Sequence, residues 1–170
     1  MGLLEPHGRH GHRDGEAGVS GTLAGIARHA ERRGPIETLE TVQVSVEHGV
    51  EGDCRGLFKP GRKNRRQVTV MEASDWAVAA REVGTDLEWW NRRVNLLVDG
   101  VDLPQTEGSR VRIGEDVVLE ITVECEPCNR MDALADGLQE ALKPDWRGGA
   151  CTRVLSGGHI KIGDSVRIEA

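Results

Sequence analysis

Short runs of alternating apolar and polar residues, each closed by a turn signal, constrain this chain more than any other feature. Val42, Val44 and Val46 alternate with Thr41, Gln43 and Ser45 across Glu40 to Val46. That is the period-two pattern of a strand with one buried face. Gly21 to Ala27 reads as an earlier strand. Gln67 to Met71 repeats the alternation with Val68 and Val70 on one face. Val94 to Val98 forms another strand that stops at Asp99 and Gly100. Val111 to Ile121 resembles Ile160 to Glu169: each sets an Ile-Gly-acid turn between alternating segments. Both are predicted to be hairpin-like corners.

Helical spacing is confined to a few places. Trp76, Ala79, Ala80 and Val83 share one face, with Ser74 placed to cap the start and Gly84 to stop the segment. Asp86 to Trp90 is predicted as a short helix. Leu134, Leu138, Ala141 and Leu142 share a face in a later helix that Asp132 would cap and Pro144 would end. Gly137 inside it costs about 1 kcal/mol against alanine. Many short strands and few helices predict a mainly β, barrel-like domain with two or three flanking short helices. It would span residues 21–170. Residues 1–20 are rich in Gly, His and Arg without apolar period and read as a flexible tail.

Composition narrows the function. With one Phe, four Trp and no Tyr, the core must rest on Val, Leu, Ile and Ala, and aromatic platforms for stacking bases are scarce. A formal net charge of −6 disfavours nucleic acid and anionic membranes as partners. Apolar runs fall far short of the roughly 18 residues that a spanning helix needs. The N-terminus lacks the apolar stretch of a secretory signal. The expectation is a cytoplasmic protein whose four cysteines (Cys54, Cys125, Cys128 and Cys151) stay reduced.

Four stretches carry chemistry. Cys125-Glu126-Pro127-Cys128 precedes a predicted helix start, with Arg130 close by, a setting that favours thiolate. Zinc binding through the Cys-x-x-Cys pair, a redox pair and two inert buried thiols all stay open from local sequence. Arg92, Arg93 and Asn95 open a strand and suit a phosphate or a heterocycle edge, or else a solvated strand end. From Arg55 to Arg66 there are six basic residues and no acidic one, followed by Gln67. That run is an anion funnel or an exposed turn. Trp146 to Gly149 lets backbone approach a ligand, or is a plain loop. Four of the six histidines (His7, His10, His12 and His29) fall near the start and read as part of a solvated tail rather than a metal site.

Taken in order, six stretches resemble the MOSC family, named for the C-terminal domain of molybdenum-cofactor sulfurase. They are Gly49 to Asp53, Arg65 to Thr69, Arg93 to Gly100, Glu126 to Cys128, Trp146 to Gly149, and Gly163 with Asp164. The resemblance implies that Cys128, not Cys125, is the functional thiol and a thiolate ligand of molybdenum. It implies that Arg93 and Asn95 contact a pterin cofactor, with Asp53, Arg66, Gln67 and Arg147 as further cofactor-binding residues. It also implies a molybdenum-dependent oxidoreductase acting on N-hydroxylated compounds with electrons from an iron–sulfur or flavin protein, or a sulfur carrier. Larger relatives enclose the cofactor with an additional domain, so a partner or second copy, as in a homodimer, is expected to complete the site. No pyridoxal phosphate is expected. A non-catalytic scaffold of the same fold and a zinc-binding module are the alternatives.

Overall fold

The computed structural model describes residues 20–169. Its strands are β1 (Ser20–Arg28), β2 (Glu37–Leu39), β3 (Thr41–Ser45), β4 (Gly49–Val50), β5 (Val68–Glu72), β6 (Leu96–Asp99), β7 (Arg110–Ile113), β8 (Val117–Glu124), β9 (Ala150–Ser156), β10 (Gly158–Lys161) and β11 (Ser165–Glu169). The helices are α1 (Ala73–Val83), α2 (Arg130–Leu134) and α3 (Leu138–Ala141), with single 3₁₀ turns at Trp89–Arg92 and Pro144–Trp146. The large sheet runs β11-β7-β8-β9-β5-β6-β1-β2, and β11 also pairs with β1. Seven strands therefore close into a barrel, with β2 as a short addition to the end of β1. A small sheet, β10-β3-β4, packs Val42, Val44, Val50 and Ile160 into the same core.

Sequence explains this layout. Leu23, Ile26, Val68, Val70, Leu96, Val98, Val111, Ile113, Leu119 and Ile121 fill the barrel interior. β5 is buried on both faces because α1 covers its outer side. Val68 and Val70 point into the barrel while Met71 joins Trp76, Ala79, Leu97, Leu138 and Leu142 in a second apolar layer outside it. β5 and β6 are the parallel pair, which requires a crossover, and α1 supplies it. β1 carries a bulge between Leu23 and Gly25. A side chain at Gly25 would collide with the Trp89 ring at 2.4 Å.

Five expectations need correction. The Val111 to Ile121 corner closes as the β7–β8 hairpin, but its look-alike does not: β10 pairs with β3, whereas β11 pairs with β7 and β1. That second turn carries the chain from the small sheet into the barrel. The single late helix is two, because Gly137 adopts φ 84° and breaks it. Asp132 lies inside α2, and its carboxylate accepts the Gln139 N–H of α3 at 3.1 Å. Ser74 lies within α1, whose N-cap position is Glu72, and the helix expected over Asp86 to Trp90 is the 3₁₀ turn at Trp89–Arg92. Gly84 does stop α1, at φ 70°. The tail reading falls on residues outside those described, apart from Ser20, which opens β1.

Glu72 gives the fold a pH signature. Its carboxylate accepts the Leu103 N–H at 3.3 Å, yet burial and the charge of Asp75 raise its pKa to about 7. The folded chain then holds a proton that the unfolded chain releases, so stability falls as pH rises from the ordinary carboxylate range through about 7. Glu72→Gln keeps an acceptor for Leu103 and removes that loss. Its Tm should exceed that of the wild type by a few degrees near about pH 8 and match it near about pH 4. Equal shifts at both pH values would rule out the ionisation as the cause.

Candidate functional site

Three connections meet where β1 ends and β5 and β6 begin. His29 follows β1 directly and is 2% exposed. Asp53 follows β4 through the left-handed turn at Gly52, and its side chain is 1% exposed. One Asp53 oxygen accepts the His29 backbone N–H at 3.1 Å, and the other accepts the Arg55 N–H at 3.2 Å. The imidazole Nδ1 lies 3.5 Å from the same carboxylate, while Nε2 is buried with no partner. Burial lowers the His29 pKa. Asp53 opposes that, and the charges of Arg93, Arg55 and Arg66 lower it further. The ring is therefore neutral near pH 7. Arg55 is itself held below its ordinary value by burial and by repulsion from Arg66 and Arg93.

Arg93 occupies the left-handed region at φ 69° and closes the 3₁₀ turn that precedes β6. Its guanidinium donates to the Gly34 carbonyl at 2.7 Å. Arg93 lines a cleft of about 410 Å³ with Arg33, Ile36, Arg130, Met131 and Leu134. Cys128 is exposed and stands two residues before α2, which provides one wall of that cleft. The Cys128 carbonyl accepts the Met131 N–H at 3.0 Å, fixing the approach to the helix. A second cavity, about 380 Å³, is lined by Arg55, Lys59, Arg62 and Arg66 above Gln67. Asn64 orders this loop by accepting from Lys59 N–H and donating to the Lys59 and Arg62 carbonyls. Among the described residues, none of the six cations from Arg55 to Arg66 has a carboxylate at ion-pair distance.

Other residues expected in the site are engaged within the fold. Asn95 is buried: its carbonyl oxygen accepts from the Thr69 N–H (3.0 Å) and hydroxyl (3.1 Å), and its amide donates to Ala27 O at 3.2 Å. The Gln67 amide donates to Val46 O and Gly56 O and accepts from the Val154 N–H. Arg147 pairs with Glu82 at 3.0 Å and donates to Ala141 O. These three tie barrel, loop and helices together. Among the described residues, no group of three or more His, Cys, Asp or Glu side chains could hold a metal ion, which removes the support for a four-ligand zinc centre.

The Cys-x-x-Cys pair is split by environment. Cys125 is 1% exposed and lies in the layer between barrel and helices. Buried Arg92 donates to its carbonyl at 2.8 Å and to its sulfur at 3.6 Å. A hydrogen bond from Cys151 and the nearby Arg92 and Arg66 charges pull the Cys125 thiol down against the effect of burial. Arg55 and Arg92 lie in stretches read from the sequence as candidate anion sites, whereas His29 was not expected among the site residues. His29 was grouped with the tail histidines, and only its place after an apolar strand signalled otherwise.

A family model for the MOSC domain matches residues 41–167. No curated protein sequence matches the chain significantly. Among solved structures, the YuaD protein from Bacillus subtilis is similar over 88% of this chain and 96% of its own, with TM-score 0.74 and 18% identity. YiiM from Escherichia coli is similar over 88% of this chain and 70% of its own, with TM-score 0.63 and 14% identity. At these identities the likeness concerns the fold. Because the Asn95 amide is satisfied internally, Asn95→Ala should lower unfolding free energy by about 1–3 kcal/mol in urea melts. Unchanged stability would show that the amide is not a structural lock.

Proposed function

The chain belongs to the MOSC domain family, and we propose that it holds a molybdenum–pterin cofactor in the Arg93 cleft, with Cys128 as the thiolate ligand. One observation carries this reading: an exposed thiol stands two residues before the helix that lines a cleft combining three guanidiniums with an apolar surface. The volume of about 410 Å³ falls in the range of small-molecule sites. The donor set fits the group. A soft sulfur suits molybdenum, Arg33, Arg93 and Arg130 suit an anionic phosphate, and Ile36, Met131 and Leu134 suit a flat heterocycle. The orphaned His29 Nε2 beside Arg55, Arg66 and Arg93 adds a polar margin with free hydrogen-bonding capacity. Asn95 does not join the donor set, since its amide is satisfied, and Arg147 is paired to Glu82.

When bound, the cofactor supplies two-electron redox chemistry. The chain binds and orients: the arginines hold negative charge, the apolar wall excludes water, and Asp53 fixes the His29 and Arg55 backbones. The reaction class proposed is reduction of N-hydroxylated compounds with electrons from an iron–sulfur or flavin protein in the cytoplasm. The cleft is open, so a second copy or a partner would cover it. The accessibility of Cys128 also supports a sulfur-carrier role, in which the thiol holds sulfur as a persulfide.

Purification from a host that makes the cofactor, followed by molybdenum and pterin analysis, tests the proposal. Wild-type protein should carry both, and Cys128→Ser should drop molybdenum to background. Equal molybdenum in the two proteins would remove Cys128 as ligand, and none in the wild type would overturn the cofactor reading. A persulfide on wild-type Cys128 by intact mass, without molybdenum, would select the sulfur-carrier role.

A further inference from the structure

A buried polar atom with no protein partner keeps hydrogen-bonding capacity that a ligand can use, and His29 Nε2 is such an atom. The charges around it are unbalanced. Arg55 and Arg66 from the basic loop and Arg93 from the turn before β6 all act on the ring, and Asp53 is the carboxylate that opposes them. Among the described residues, none of these three arginines forms an ion pair. Among those residues the Arg93 guanidinium donates to the Gly34 carbonyl alone. Like charges held together by a rigid fold form an anion site whose occupant relieves their repulsion.

We propose that His29, Arg55, Arg66 and Arg93 form an oxoanion site, suited to phosphate or a phosphate monoester, and that the anion enters together with a proton that His29 takes up. This deepens the cofactor reading by adding His29, Arg55 and Arg66 to Arg93 of the Cys128 cleft and by naming the proton linkage of the anionic group.

Without an anion, burial and the three guanidiniums keep the imidazole neutral. Nδ1–H then faces Asp53, and Nε2 presents a bare lone pair. An oxoanion offsets the guanidinium charge, so protonation of Nε2 becomes favourable. The imidazolium donates from Nδ1 to Asp53 and from Nε2 toward the anion. The proton comes from solvent, and no covalent bond between heavy atoms changes. The anion thus raises the His29 pKa. Proton uptake is greatest between the anion-free pKa, which lies below 6.5, and the bound value. Affinity falls as pH rises through the bound value.

Sulfate is the first probe, because its charge is constant over this range, and inorganic phosphate is the second. Titration calorimetry near about pH 6.5 in two buffers of different ionisation enthalpy counts protons, with up to about one taken up per sulfate in the wild type. His29→Gln should still bind sulfate, with uptake near zero and a flattened pH profile. Replacing Arg55 and Arg66 by Met should lower affinity at least about tenfold, as expected for losing charge-assisted contacts. The His29 ring carbon resonance, followed by NMR in the unmutated protein, should titrate at higher pH when sulfate is present, a readout that needs no variant to fold. Absent binding of both anions, binding without buffer-dependent protons, or equal uptake in His29→Gln would each overturn the site. Those outcomes would leave molybdenum content dependent on Cys128 untouched. Conversely, loss of the cofactor reading would leave the sulfate titration standing.

Discussion

Closure of the barrel through β1 is the constraint on which the rest depends. The first residues of β1 pair with β11, its middle pairs with β6 and its last residues pair with β2. One strand therefore joins the first and last segments of the barrel and leaves no free edge along most of its length. Two glycines make this possible. Gly21 passes so close to the Asp99 carbonyl that a side chain atom would sit 2.2 Å from it, and Gly25 gives up the same space to Trp89. Closure fixes the direction in which β1 ends, and His29 is the next residue.

The barrel interior is aliphatic, yet its rim carries buried polar side chains with nearly complete partners. Thr69 and Asn95 exchange bonds across β5 and the start of β6, Thr152 donates to Val68 O, and Gln67 bridges the basic loop to β9. Each unpaired group there would cost about 1–3 kcal/mol. The satisfied ones therefore act as locks that hold the loops still. Against that background the two exceptions among the described residues, His29 Nε2 and Arg92 Nε, stand apart. His29 lies in the field of Arg55, Arg66 and Arg93, and Arg92 lies against Cys125, so each exception sits at a stretch that carries chemistry.

Periodicity made the barrel legible because period-two alternation records burial directly: Val42, Val44, Val68 and Val70 all face the core. It misled where two similar strings meet different neighbours. Ile113-Gly114 and Ile162-Gly163 look alike, but pairing partners are set by the whole sheet and not by the turn. Gly137 was read as a propensity cost when its left-handed geometry was the signal. For the site, residue chemistry singled out Arg66, Arg93 and Cys128, all of which lie on loops or turns outside the strands. It could not tell a ligand-facing amide from one already satisfied, since Asn95 and Gln67 have the same chemistry in either role. His29 was missed because a histidine gains meaning only from the burial and charge around it.

The two thiols of the Cys-x-x-Cys pair show how access and field divide reactivity. Cys125 has a guanidinium at 3.6 Å and a neighbouring thiol to stabilise its charged form, but helix and barrel close over it. Cys128 is open to solvent at the entrance to α2. A thiolate that no ligand can reach does no exchange chemistry, whatever its charge. An exposed thiol can be activated by what binds beside it, because a soft metal deprotonates the sulfur it coordinates. The fold thus places the Arg92 guanidinium on the enclosed sulfur, where it anchors the Cys125 carbonyl and the path of the chain toward Pro127. Of the two thiols, Cys128 is the one that a group arriving from solvent can reach.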